Sequence, residues 1–358
     1  MPNIFQNMSA HIRANHWWKY KAAPILGFTY LYCYLLDISL TEKIIIILLS
    51  AVTIVGIAGF GYVINDLYDI EADKKAGKPN RLAGKSGPEI FLIILLLCMV
   101  ASLPWLYLRS TPTTWLLIGI QILLFILYAH PVTRLKEKSL WGPVCDALYG
   151  HAVPIVIACL TYQQYLQKIP YHLLFFFSTL FAWQFLKGIR NIFLHQLEDY
   201  DNDIRTQTVT YTTEKGTFYV YRLILKKILP LEVILLLLFF AAVGDVLPLI
   251  PVSFFAFLYI FSLGHGLFRN VVINKTSYES NSYLYFLNDW YEDYLPWILL
   301  GACISEDLRM AVFALIHIIF FPSSVTNIFA DIKSALLETW VQFKNLIYPI
   351  YKLLRKHP

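Results

Sequence analysis

Apolar residues fall in long blocks along this chain, close to the roughly 20 residues a helix needs to cross a hydrocarbon core. Reading the runs and their breaks predicts spans near 22–41, 43–64, 89–108, 113–130, 143–163, 170–190, 228–244, 247–268 and 294–321. Lys226, Lys227 and Pro230 blur the start of the seventh. Ser305-Glu306-Asp307-Leu308-Arg309 interrupts the ninth, which reads as one span or as two shorter helices. From Ser323 to Pro358, apolar residues at helical spacing mix with Lys333, Lys344, Lys352, Arg355 and Lys356. That pattern predicts an amphipathic surface helix over 323–358, appended to a membrane domain of residues 1–322.

Composition agrees with the pattern. Of 358 residues 58% are apolar and 15% charged, against about 45–50% and about 25% in soluble domains. A soluble enzyme, a disordered chain and a disulfide-stapled domain are excluded. The expected fold is an all-α polytopic membrane protein of about nine transmembrane helices. The cysteines, Cys33, Cys98, Cys145, Cys159 and Cys303, have no CxxC spacing and read as buried apolar residues. The first 21 residues, with Arg13, His16, Trp17, Trp18, Lys19 and Lys21, have an interfacial rather than a signal-peptide composition.

The net charge of +5 is no sign of nucleic acid in such a chain, because Lys and Arg gather in cytoplasmic loops and set orientation. Here the connections alternate between short and long. Eighteen Lys and Arg flank the long-loop side, against three (Lys43, Arg109, Lys168) on the short-loop side. The bias predicts a multi-pass protein of the cell membrane, of the bacterial inner-membrane kind, with its N-terminus and long loops in the cytoplasm.

Two of those long loops open with acidic clusters. Asn65, Asp69 and Asp73 are spaced i, i+4, i+8 and share one face if the second helix continues through them, with Asp66 beside them. His195, Asp199 and Asp203 repeat the spacing, with Gln196 three before Asp199. The offset from Asp69 to Asp199, and from Asp73 to Asp203, is 130 residues, and each cluster follows an even-numbered span. The match suggests a pseudo-repeat of two four-helix halves that contribute one acidic face each to a shared cavity. Carboxylates on one face repel unless a cation lies between them. Hard oxygen ligands suit Mg²⁺, which takes a few carboxylates together with phosphate oxygens. Facing clusters of this kind fit two Mg²⁺ ions bridged by a diphosphate, with Lys74, Lys75, Lys78, Arg81, Lys85 and Arg205 near enough in sequence to offset its charge.

These residues resemble the UbiA superfamily of intramembrane prenyltransferases. The first cluster matches that family's NDxxDxxxD motif and the second resembles its DxxDxxxD motif. The segment Tyr128-Ala129-His130-Pro131-Val132-Thr133-Arg134-Leu135-Lys136 is similar to its tyrosine–basic loop between helices 4 and 5. The opening at Arg13, Trp17 and Lys21 is similar to its first-helix entry, and Thr208 and Gly216 fit the pattern after the second motif. The resemblance covers roughly residues 10–270. It implies a nine-helix bundle around a central cavity, open to the cytoplasm and laterally to lipid. It also implies Mg²⁺-dependent transfer of an isoprenyl group from a prenyl diphosphate to an acceptor, aromatic or otherwise lipophilic, that the sequence does not name.

Carried over by position, Asn65, Asp66, Asp69 and Asp73 make one metal half-site, and Asp199 with Asp203 the other. Asp69, Asp199 and Tyr128 become the catalytic candidates. Arg13, Lys78, Arg81, Arg134, Lys136, His195 and Gln196 become the diphosphate-binding candidates. Gln196 stands where the family's second motif begins with Asp, so it brings a carboxamide and no charge. Two variants of the chemistry are terpene cyclisation and phosphoribosyl transfer. The latter is less favoured, since Gly77-Lys78-Pro79-Asn80-Arg81-Leu82 lacks a histidine. From another class, a cation-coupled transporter would place its ionisable groups near the bilayer midplane, whereas these clusters lie at span ends on one side. No HExxH-like pair occurs, which argues against zinc. Asp146 and His151 in the fifth span and His265 in the eighth are intramembrane polar groups of the sort that line cavities. The polar stretch around Asn288, Asp289, Glu292 and Asp293 has no chemistry assigned by sequence alone.

Overall fold

The computed structural model describes residues 17–166, 173–244, 249–265 and 286–354. Every regular element among them is helical. In chain order they are α1 (Ala23–Leu35), α2 (Leu40–Ala76), α3 (Gly87–Ser102), α4 (Pro112–Ala129), α5 (Trp141–Gln163) and α6 (Leu173–Glu198). Three short helices follow, α7 (Tyr200–Thr206), α8 (Tyr211–Lys215) and α9 (Thr217–Leu223). The chain closes with α10 (Leu229–Val243), α11 (Leu249–His265), α12 (Phe286–Asp289), α13 (Leu295–Glu306), α14 (Ala311–Phe320) and α15 (Pro322–Leu354).

Over its described residues each predicted span overlaps a helix, and the ninth overlaps two. By length and composition alone, four single helices among the described residues are long and apolar enough to cross a membrane: α2, α3 with its following turn, α4 and α5. The ninth predicted span resolves into two helices. Helix α13 continues the run begun at Phe286 and ends at Asp307, whose extended backbone (φ −144°, ψ 109°) turns the chain back into α14. Phe313 stacks on Tyr30, and the Trp18 indole donates to the Phe320 carbonyl at 2.9 Å, so α14 runs back along α1. A 91° bend then leads into α15. Asn327 donates to Asp293 (2.9 Å) and Tyr294 to Asp331 (3.1 Å), which hold the first turns of α15 against the bundle. Farther along, Phe329, Leu336, Trp340 and Phe343 are exposed on that helix.

Sequence dictates the helix ends at which the polar groups gather. Ser39 and Glu42 form a reciprocal capping box that starts α2, and the helix then runs unbroken through both Asn65 and Asp73. It stops at Gly77, whose φ of 67° is a left-handed cap that glycine adopts without a Cβ penalty. The two membrane faces separate cleanly. Arg109 donates to the Gln164 carbonyl (3.1 Å) and lies over the Tyr165 ring on the short-loop side. Trp17 stacks on Tyr62 near the long-loop ends of α1 and α2.

Candidate active site

A cavity of about 980 Å³ opens among α1, α2, α4, α5, α6 and α12, at the upper end of the size range for small-molecule sites. Asn65 from the first acidic segment and His195 from the second both line it, with Lys136 and Tyr128 from the α4–α5 region. Its walls toward the bundle centre are apolar, including Ile54, Ile57, Ile157 and Ala158.

Around the first segment the site is already charge-compensated. Lys136 Nζ contacts both carboxylate oxygens of Asp69 at 2.5 Å and donates to Asn65 Oδ1 at 3.3 Å. Arg134 reaches the same Asp69 at 3.4 Å while holding Glu137 at 2.6 Å. Arg134 sits at φ 39°, a left-handed backbone that is uncommon outside glycine, and the turn brings both cations back over α2. Burial lowers the Lys136 ammonium below its usual range, with Asp69 pulling the other way. Asp73 accepts from the Asn80 amide at 2.8 Å, and the same amide donates to the Asp66 carbonyl. That clamp folds the loop back along the helix end.

The second segment is looser. Helix α6 ends at Glu198, Asp199 carries the chain into α7, and backbone bonds His195 O to Asp199 N and Asp199 O to Asp203 N (both 2.9 Å) keep the i, i+4, i+8 spacing. His195 and Glu198 are exposed and their side chains approach only to 4.0 Å. Asp203 is pushed up to about 6, first by partial burial and then by Asp199. Lys78 of the first loop and the Thr210 hydroxyl oppose that rise. Asn65 of the first acidic segment and His195 and Glu198 of the second thus line the same cavity, whereas Asp69, Asp73, Asp199 and Asp203 lie off its wall.

Several candidates fall elsewhere. Asp66 is 1% exposed and off the cavity wall, because it is one residue, hence about 100°, round the helix from Asn65. Gln196 is buried too. Its carboxamide oxygen accepts from the Thr212 amide and hydroxyl (3.2 and 3.1 Å), so it braces α6 against α8 beside the stacked Phe193–Tyr211 pair. Arg81 is exposed, with no ion pair among the described residues. Arg13, and the side chain of His265, lie outside the described residues. Tyr128 remains on the cavity wall, its ring edge-on to Tyr149, whose hydroxyl donates to Asp146 at 2.6 Å.

The cavity also contains groups that the two motifs do not mark. Asn191 lies one turn before His195 and could have been read from that spacing. Asp146 and His151 enter from α5, and Asn288, Asp289 and Glu292 from α12 and the turn that follows it. The i, i+4 pair Asn288 and Glu292 was the available signal for the latter group.

The oxygen donors of Asn65, Asp69, Asp73, Asp199 and Asp203 fit Mg²⁺ by their hardness. Among the described residues no three His, Cys, Asp or Glu side chains gather closely enough to cage a metal by themselves.

A polytopic helical membrane protein with two acidic helix ends over an apolar-walled cavity is the class defined by this fold. The model of the UbiA prenyltransferase family matches residues 26–288, and the chain belongs to that family. Among solved structures it is similar to a UbiA homolog from Archaeoglobus fulgidus bound to DMAPP and Mg²⁺, at 14% identity and a TM-score of 0.50, covering 91% of this chain and 99% of that one. A UbiA homolog from the same organism bound to GPP and Mg²⁺ aligns at 15% identity and a TM-score of 0.49 over the same shares. No curated protein matches the chain significantly.

Proposed function

We propose that this protein transfers an isoprenyl group from a prenyl diphosphate to an acceptor within the cavity, and that the diphosphate binds between the two acidic helix ends. The observation that carries this reading is the meeting of the two segments. Asn65 and His195 line one cavity, and the charge of Lys78 in the first loop acts on Asp203 in the second.

Asn65, Asp69 and Asp73 on one side, with Asp199 and Asp203 on the other, are the residues that would hold Mg²⁺. Bound there, the ion supplies positive charge to a departing diphosphate. Lys136, Arg134 and Lys78 add fixed cations at the same end, and they gain strength because the site is partly withdrawn from water. Asp69 keeps Lys136 and Arg134 aimed at the cavity rim. The apolar walls accept the hydrocarbon chain and keep water from the allylic cation formed as the C–O bond breaks. Tyr128 shapes the mouth between the rim and those walls. The excess of Lys and Arg on the long-loop side orients this rim toward the cytoplasm.

Purified protein given GPP or DMAPP together with a membrane lipid extract as the acceptor pool is expected to release inorganic diphosphate with Mg²⁺ and to stop when EDTA is added. Release that persists in EDTA, or none from any donor of increasing chain length, would refute the reading.

A further inference from the structure

Three π-helical turns interrupt the bundle where it meets the cavity: Trp18–Ala22, Leu148–Ala152 and Trp290–Tyr294. Each carries a charged or titratable side chain into the cavity wall, Lys21, His151 and Glu292 respectively. A π-turn spends a regular hydrogen bond to re-aim side chains and is common at functional sites. Here the three turns converge. Lys21 Nζ lies 2.9 Å from His151 Nε2. Lys21, Lys187 and Arg190 all face the His151 imidazole. An added Cβ at Gly188 would lie 2.6 Å from Ala147 Cα and 3.0 Å from His151 Cδ2, so glycine there lets α6 press onto α5 beside this group.

Glu292 is the carboxylate carried by the third of these turns. Its side chain is 4% exposed, and Oε1 pairs with Lys187 Nζ at 3.5 Å. Lys187 is itself fixed over the Tyr291 ring at 3.9 Å. No described group hydrogen-bonds Oε2. One turn earlier, Asn288 is locked by Arg190 (2.7 Å) and Asn191 (3.1 Å), and Arg190 is held by both oxygens of Glu232 at 2.6 and 3.0 Å. A carboxylate paired with one ammonium, rigidly backed and open on its other oxygen, is costly to maintain inside the bundle for packing alone.

We propose that Glu292 is the base that takes the acceptor's proton, and that the acceptor binds between Glu292 and the Lys21–His151 pair. The proposal rests on the transferase reading above. In the step, the bond between the allylic carbon and the diphosphate oxygen breaks, and its electron pair leaves with diphosphate. That carbon bonds to an oxygen or aromatic carbon of the acceptor, and the proton displaced from the acceptor passes to Oε2 of Glu292. The acceptor is therefore a molecule whose nucleophilic atom carries, or sits next to, a removable proton, with polar groups for Lys21 and His151. The carboxylates of the two acidic ends are poorly placed for this task, since Asp69 is already engaged by Lys136 and Arg134 and Glu198, which lines the cavity, is exposed to solvent.

The test uses labelled GPP, Mg²⁺ and a total lipid extract of the source membranes as the acceptor pool. Glu292→Gln is expected to lower labelled transfer product by about 100-fold or more, while Mg²⁺-dependent binding of GPP stays as in the wild type. Glu292→Asp should restore part of the transfer. Transfer by Glu292→Gln within about threefold of wild type, well short of a general-base effect, would overturn the proposal, as would loss of GPP binding together with transfer. Wild-type protein that binds no GPP with Mg²⁺ would instead remove the transferase reading on which this rests.

Discussion

The two acidic helix ends have nearly the same sequence spacing and quite different surroundings. The first is clamped: Lys136 and Arg134 hold Asp69, and Asn80 holds Asp73. The second is exposed at Asp199, and Asp203 has a carboxylate neighbour as its main electrostatic partner. The difference teaches that matched spacing does not fix surroundings: fixed cations and an amide hold the carboxylates of one end, whereas at the other two carboxylates act on each other with little to hold them.

The largest expected effects test that difference directly. Asp69→Ala and Asp199→Ala should each lower Mg²⁺-dependent diphosphate release by about 100-fold or more, since each removes charge stabilisation at the reacting end. Their folding costs should differ. Asp69→Ala leaves two partly buried cations without their carboxylate and should cost about 1–3 kcal/mol in unfolding measurements. Asp199→Ala, on an exposed residue, should leave the melting temperature almost unchanged. Equal destabilisation would erase the contrast between the two ends.

A smaller effect concerns Gln196. Its carboxamide braces Thr212, so Gln196→Ala should cost about 1 kcal/mol of stability with Mg²⁺-dependent donor binding unchanged. Gln196→Asp should destabilise further by burying a charge, and should not tighten Mg²⁺ binding. Stronger metal binding in that variant, measured by titration, would put position 196 back in the site.

The smallest effect is in pH. Because Asp203 is raised to about 6 in the metal-free protein, against about 3.9 for a free side chain, its contribution to stability is present at low pH and lost as pH rises through about 6. Mg²⁺ binding works against the same proton, so apparent metal affinity should rise across that range and a proton should be released on binding. Asp203→Asn should remove both the pH step and the proton release seen by calorimetry.

Much of the fold was legible because the apolar blocks and the Lys/Arg bias are one-dimensional signals. The spacing of Asn65, Asp69 and Asp73 was legible too, since an unbroken α2 keeps i, i+4, i+8 on one face. Gln196 and Asp66 were not, because a motif states which residues lie near a helix end and not which way each side chain turns. Gln196 turns toward Thr212 through packing at the α6–α8 corner, a contact no local pattern encodes. The wall formed by Asn288, Asp289 and Glu292 also escaped, as its partners Lys187, Arg190 and Asn191 lie about 100 residues earlier in the chain. The ninth span divided at Asp307, which the interruption Ser305–Arg309 had marked as one of two outcomes.

The central claim is that both acidic ends grip one diphosphate through a cation. Titration of inorganic diphosphate into wild type, Asp69→Ala, Asp199→Ala and the double variant, each with and without Mg²⁺, tests it most directly. The account predicts binding only with Mg²⁺, weakened in either single variant, with the double variant falling short of the sum of the two losses because both residues serve one ligand. Additive losses from the two substitutions, or diphosphate binding that is indifferent to Mg²⁺, would contradict it.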